Sequence, residues 1–177
     1  MVEKLKTFFS KSFFTDKKYI SILILLLAVF SGLKQFGIDK YNNYLIYKNV
    51  FFHTINKTSL YAEYPLEYFD HNHYGPLFSL IIAPFAILPD ALGMTLWNVF
   101  NGLLLIWAVY KLPIKQSKIN LVLWIVAHEF LTAILGFQFN PMMTAIIILS
   151  FVYIDEEKDF WAALFIILGT FIKLYGI

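Results

Sequence analysis

The run ALGMTLWNVFNGLLLIWAVY, residues 91–110, carries no charged side chain over a length that matches the hydrocarbon core of a bilayer. That core is about 30 Å thick, and a helix needs about 20 mostly apolar residues to cross it. Five more apolar runs flank this one, at 20–33, 75–88, 119–137, 141–154 and 160–177. The breaks LPD (88–90), KLPIKQSK (111–118), QFN (138–140) and DEEKD (155–159) are short enough to join antiparallel neighbours. Helices satisfy their own backbone in lipid, and the runs lack the two-residue alternation of a membrane β-barrel. The expected fold is therefore all-α: a polytopic helical membrane protein with about six hydrophobic helices. Hydrophobic residues at 59%, aromatic residues at 19% and a mean hydropathy of +0.67 exceed what a soluble domain needs.

A formal charge of +2 is too small to imply nucleic acid, which is set aside as a partner. Cysteine is absent, which excludes disulfides, thiolate chemistry and any Cys-based metal site. Carboxylates, imidazoles, lysines and amides must carry whatever chemistry there is.

Residues 1–18 hold Lys4, Lys6, Lys11, Lys17 and Lys18 against Glu3 and Asp16. Lysines ahead of a first hydrophobic segment hold that end in the cytoplasm, so 19–36 reads as a first transmembrane helix. It has no small-residue cleavage site behind it and is read as uncleaved. Residues 37–75 then form an outer loop. Within it, 41–56 is amphipathic, with Asn42, Asn49, His53 and Asn56 on one face and Tyr44, Tyr47, Phe51 and Ile55 on another. Such a helix either lies on the membrane surface or packs on the bundle.

Residues 76–177 make up the remaining bundle of hydrophobic helices. The chain ends inside an apolar run, as expected of a piece truncated at its C-terminus. If every run crosses, Lys111, Lys115 and Lys118 fall outside, against the positive-inside bias. The 75–88 run is short and contains Pro84. A half-inserted or strongly tilted element there returns the lysines to the cytoplasm and moves Gln138-Phe139-Asn140 to the outer face.

Charged groups inside a span cost roughly 2.5–3.5 kcal/mol each and ask for a reason. His128 and Glu129 are adjacent, so at least one is expected to point into the bundle, either as a structural pair or as a substrate or proton site. Lys173 either snorkels or contacts a phosphate. Gln138 and Asn140 flank a helix break, where amides serve as caps or bind sugar hydroxyls. Asp70, His71 and His73 follow Glu67 closely, and His-x-His is a usable metal spacing. Read from spacing alone, interfacial polar residues account for it more simply, and no metal is expected.

The stretch YPLEYFDHNHYGPLFSLIIAPFAILPDALGMTLWNVFN resembles the first-loop region of membrane glycosyltransferase family 87. The resemblance runs through Leu60-Tyr61, Tyr74-Gly75-Pro76, Pro84, Leu88-Pro89 and Trp97-Asn98, then Glu129, Gln138-Phe139-Asn140 and Ile172-Lys173. It covers roughly residues 38–177, and its specificity lies in the order of weak motifs.

The resemblance implies a C-type hexosyltransferase of the bacterial inner membrane, working without a nucleotide sugar or cofactor. Its partners would be membrane lipid, a polyprenyl-phosphate-linked sugar donor, mannose-like in its hexose, and a glycan or glycolipid acceptor on the extracytoplasmic face. Inverting displacement needs a carboxylate in the first outer loop to take the acceptor proton. The family's Asp position falls on Asn43, which cannot act as a base. Asp39 is the first substitute, one helical turn earlier, and Asp70 the second. A non-catalytic homologue is the third possibility. Lys173 would balance the donor phosphate, Glu129, Gln138 and Asn140 would order sugar or carrier, and His73 and Tyr74 would stand at the acceptor side. The competing reading is a non-enzymatic transporter or lipid-carrier-binding subunit in which His128, Glu129 and Lys173 line a path.

Overall fold

The computed structural model describes residues 11–173, so Glu3, Lys4 and Lys6 of the basic N-terminus and the last four residues lie outside it. Eight helices are found among the described residues: α1 (Ser12–Thr15), α2 (Lys17–Gly37), α3 (Asn42–Ile55), α4 (Leu77–Ala86), α5 (Asp90–Tyr110), α6 (Gln116–Leu135), α7 (Asn140–Asp155) and α8 (Asp159–Ile172). The all-helical membrane architecture expected from the apolar runs is what forms. At a rise of 1.5 Å per residue, α2, α5 and α6 reach about 30 Å, while α4, α7 and α8 fall short of it.

Local chemistry sets where the helices start and stop. The Asp16 carboxylate accepts from the Lys18 N–H at 2.9 Å and caps α2, placing a negative charge at the positive end of the helix dipole. Four helices stop at a left-handed residue that is not glycine, Asp39, Lys57, Phe137 and Glu157. In each case the following N–H reaches back to a carbonyl five residues earlier, as Lys40 does to Gln35 at 3.0 Å and Gln138 to Ala133 at 2.9 Å. The pattern closes the last turn and satisfies carbonyls that would otherwise be orphaned in lipid.

Packing in lipid rests on close fit rather than on escape from water. One stripe of α2, Ile20, Ile24, Ala28, Ser31 and Gly32, is buried, whereas Leu26, Phe30 and Leu33 face outward. Gly32 lets α2 approach α5, because a Cβ there would stand 2.7 Å from the Thr95 Cα. A second core is aromatic: Tyr44, Tyr47, Phe78, Trp97, Phe137 and Phe139 are buried together where α3 and α4 meet the bundle. Edge-to-face pairs run through it, Tyr47 to Phe78 at 4.8 Å and Phe78 to Trp97 at 5.9 Å.

Of the two placements open to α3, packing on the bundle is the one that forms: it joins the aromatic core, and His53, assigned to its polar face, is 5% exposed. Its imidazole stacks on Tyr64 and meets Glu67 at 2.9 Å, so the partner for the polar edge comes from the loop instead of water. On α6, neither His128 nor Glu129 points into the bundle, their side chains being 85% and 83% exposed. The buried stripe of α6 runs through Leu123, Ala127, Phe130 and Ile134. At about 100° per residue, 128 and 129 fall about 130° from the centre of that stripe, one on either side.

Contacts at the helix ends sort the loops. Tyr110 lies 3.3 Å from Ser21 and from the Lys17 carbonyl, and Asn120 donates to the Thr15 carbonyl. The loop carrying Lys111, Lys115 and Lys118 therefore shares one end of the bundle with Lys17 and Lys18. At the opposite end Gln35 donates to the Leu135 carbonyl, and Gly75 donates to the Ile172 carbonyl at 2.9 Å. α4 both begins and ends on this second side, since Gly75 precedes it and Asp90, just beyond it, pairs with Lys48 of α3 at 2.5 Å. A ten-residue helix spans about 15 Å, half the hydrocarbon thickness, so α4 is too short to cross.

Candidate functional site

The second end of the bundle holds a polar cavity of about 330 Å³ lined by Asn43, Ile46, Tyr47, Asp70, His71, His73, Tyr74, Gln138, Asn140 and Lys173. Seven of the nine residues singled out in the sequence come together in this one space, from four separate parts of the chain.

The wall from the outer loop is pinned in place. Asn42 holds Phe69 through a pair of hydrogen bonds, accepting from its N–H at 2.7 Å and donating to its carbonyl at 2.6 Å. Asp70 follows at φ 81°, a left-handed conformation that costs free energy in a non-glycine residue and recurs at functional sites. Its carboxylate accepts from the His71 N–H at 2.8 Å. That bond holds the Asp70 carboxyl below its ordinary value, and the nearby imidazoles of His71 and His73 add in the same direction, so the group is ionised at neutral pH. Asn72 is buried and spans Tyr74, accepting from its N–H at 3.0 Å and donating to its carbonyl at 2.8 Å.

The floor is aromatic. The hydroxyls of Tyr47 and Tyr74 meet at 2.9 Å. Burial, and secondarily Tyr74, pushes the Tyr47 phenol well above its ordinary value, which confines it to hydrogen bonding. The Lys173 ammonium stands 5.3 Å from the centre of the Tyr74 ring. Across the cavity, Asn43 donates to the Gly136 carbonyl at 2.7 Å and Asn140 donates to Gln138 at 3.0 Å. Neither Gln138 nor Asn140 caps α7, whose first turn has no side-chain cap, so these amides are left to serve the cavity.

Two of the nine residues lie elsewhere. Asp39 is the left-handed residue that ends α2 and lines a separate depression with Asn43, Gly136 and Phe137. Glu129 lines a groove of about 260 Å³ between α6 and α7, which Gln138 and Asn140 also border. The two amides thus form the boundary between an apolar groove and the polar cavity. Sequence reasoning left His71 and Tyr47 out of the site. His71 was visible in the His-x-His spacing, whereas Tyr47 enters only through its packing against Tyr74.

These features define an integral membrane protein with a polar cavity gathered at one end of a helical bundle, next to an apolar groove between helices. The model of glycosyltransferase family 87 matches residues 72–177, and the chain belongs to that family, as a membrane glycosyltransferase. No curated protein and no solved structure matches it. His73, Tyr74, Glu129, Gln138, Asn140 and Lys173 lie within the matched residues, and Asp39, Asn43 and Asp70 lie ahead of them.

Proposed function

We propose that the protein transfers a hexose, mannose-like in character, from a polyprenyl-phosphate carrier to a glycan or glycolipid acceptor on the extracytoplasmic face of the bacterial inner membrane. The observation that carries this reading is the cavity in which Asp70 and Lys173 share walls with Asn43, Gln138 and Asn140. An anionic base, a cation and sugar-binding amides are the three elements that a displacement at a sugar phosphate needs.

In this reading, Asp70 takes the proton of the acceptor hydroxyl. The acceptor oxygen attacks the anomeric carbon, the bond from that carbon to the phosphate oxygen breaks, and polyprenyl phosphate leaves with the bonding electrons. A single displacement inverts the anomeric centre. Lys173 offsets the charge that grows on the leaving phosphate, while Gln138 and Asn140 hydrogen-bond the sugar and Tyr74 and His73 face the acceptor. Asp70 is assigned the base in preference to Asp39 because it lines the same cavity as Lys173, whereas Asp39 lines the neighbouring depression. The apolar groove bordered by Glu129 is suited to the carrier's hydrocarbon, which reaches the cavity past Gln138 and Asn140.

The lysines at 17, 18, 111, 115 and 118 gather at the end away from the cavity, which supports a cytoplasmic N-terminus and an outward-facing site. The test is transfer from a radiolabelled polyprenyl-phosphate hexose to endogenous membrane acceptors by the protein in detergent or vesicles. Loss of transfer in Asp70→Asn and Lys173→Ala is expected; full activity in both variants overturns the scheme.

A further inference from the structure

We propose that Asp70, His71 and His73 hold a first-row divalent cation, Zn²⁺ in the first instance, in the wall of the polar cavity. The two imidazoles approach opposite oxygens of one carboxylate: His71 Nδ1 lies 3.1 Å from Asp70 Oδ1, and His73 Nε2 lies 3.6 Å from Asp70 Oδ2. One ligand atom from each residue lies within 4.8 Å of the others. Tetrahedral Zn²⁺, with bonds of about 2.0–2.2 Å, places neighbouring donors about 3.3–3.5 Å apart, so the side chains need only small adjustments to close on an ion.

The backbone explains why both imidazoles are available. Residues 71–73 lie outside helix and strand, and burial alternates along them, with His71 and His73 exposed on either side of Asn72. Asn72 turns inward and is buried, which sends His71 and His73 outward together. The Asn42 clamp on Phe69 and the Asn72 clamp on Tyr74 fix the loop on both sides of the three donors. Spacing alone argues poorly for a metal; the carboxylate standing between the two rings is what the fold adds.

Two imidazoles and a carboxylate suit Zn²⁺, Mn²⁺ or Co²⁺ better than the all-oxygen shells of Ca²⁺ or Mg²⁺. Three protein donors leave a coordination position open, as in catalytic rather than structural sites. An ion held through one Asp70 oxygen leaves the other for the acceptor proton. Its open position would take an oxygen of the sugar phosphate or of the acceptor hydroxyl; this last step rests on the transferase reading, while cation binding does not.

The test is titration of the chelator-stripped protein in detergent with Co²⁺, followed by its visible absorption, and then displacement with Zn²⁺. One equivalent of Co²⁺ is expected to bind and be displaced. His71→Ala and His73→Ala are each expected to weaken binding at least about tenfold, and His128→Ala, outside the cluster, to leave it unchanged. Absence of stoichiometric binding in the parent protein, or binding unchanged in the His71→Ala/His73→Ala double variant, overturns the proposal. Binding without sugar transfer supports the cation site and counts against the transferase scheme. Transfer that survives chelation and the double variant, with no Co²⁺ bound, does the reverse.

Discussion

The Asn43 side chain donates to the Gly136 carbonyl at 2.7 Å, tying the first turn of α3 to the end of α6 across 93 positions of sequence. This bond puts the first outer loop and the Gln138-Phe139-Asn140 turn on one side of the bundle. It also gives the amide at position 43 a use that an aspartate there would lack, because a carboxylate accepts hydrogen bonds and cannot donate to a carbonyl. Asn43→Asp is expected to loosen this junction and lower the midpoint of thermal unfolding in detergent, because the Gly136 carbonyl loses its donor and faces a charge. An unchanged midpoint would show that the junction holds without the bond.

The two loop carboxylates are separable by activity. Asp70→Asn preserves shape and removes the base, and transfer is expected to fall by about 10²–10⁴-fold. Asp39→Asn is expected to leave transfer within about twofold of the parent, since Asp39 ends a helix outside the cavity. Initial rates with a polyprenyl-phosphate hexose donor measure both, and a larger loss at Asp39 would move the base to the neighbouring depression.

Lys173 stands over Tyr74 at the end of α8, with its charge directed at the cavity. Lys173→Ala is expected to lower kcat/KM for the lipid-phosphate donor about tenfold, or ~1.4 kcal/mol, while Lys173→Arg retains most of the rate. Steady-state kinetics against donor concentration test this, and equal losses in both variants would mean that geometry rather than charge is at stake.

Gly75 is a point where the loop meets α8 backbone to backbone. A Cβ at this position would sit 2.0 Å from the Phe171 carbonyl oxygen, and the Gly75 N–H already donates to Ile172. Gly75→Ala is expected to push the loop off α8, lowering transfer at least about tenfold and speeding hydrogen exchange across 70–75. Exchange mass spectrometry reads the second effect directly, and parent-like exchange would show that α8 yields instead.

Sidedness has a clean test because the chain contains no cysteine. Single cysteines at 39, 70 and 140 are expected to react with a membrane-impermeant maleimide from the outside of intact cells, and those at 115 and 157 only after permeabilisation. Labelling of 39 and 140 from opposite compartments would dismantle the shared cavity.

The bundle was legible because lipid imposes a length and a composition on every crossing segment, and α5 and α6 match their apolar runs closely. The cavity was legible in part for a related reason. Polar groups are scarce in such a chain, so His73, Gln138, Asn140 and Lys173 stood out against their surroundings. What could not be read was direction. The adjacent His128 and Glu129 satisfy any cost argument equally well whether they face the bundle or the groove, and only the position of the Leu123–Ile134 stripe decides. His53 misled for the opposite reason: a polar side chain on a helix reads as solvent-facing until Tyr64 and Glu67 arrive from residues farther along the chain to cover it. The separation of Asp39 from Asp70 was hidden too, since both lie in the same loop and both adopt left-handed backbone, one to finish a helix and the other beside the cavity.

α4 enters and leaves on the same side, so it contributes nothing to the parity of crossings. Lengthening or shortening this helix would therefore invert no segment that follows. Its Tyr74 end stays tied to the bundle, through Gly75 to Ile172 and through the Tyr47 hydroxyl, so the height of the cavity wall is set by α3 and α8 rather than by the length of α4.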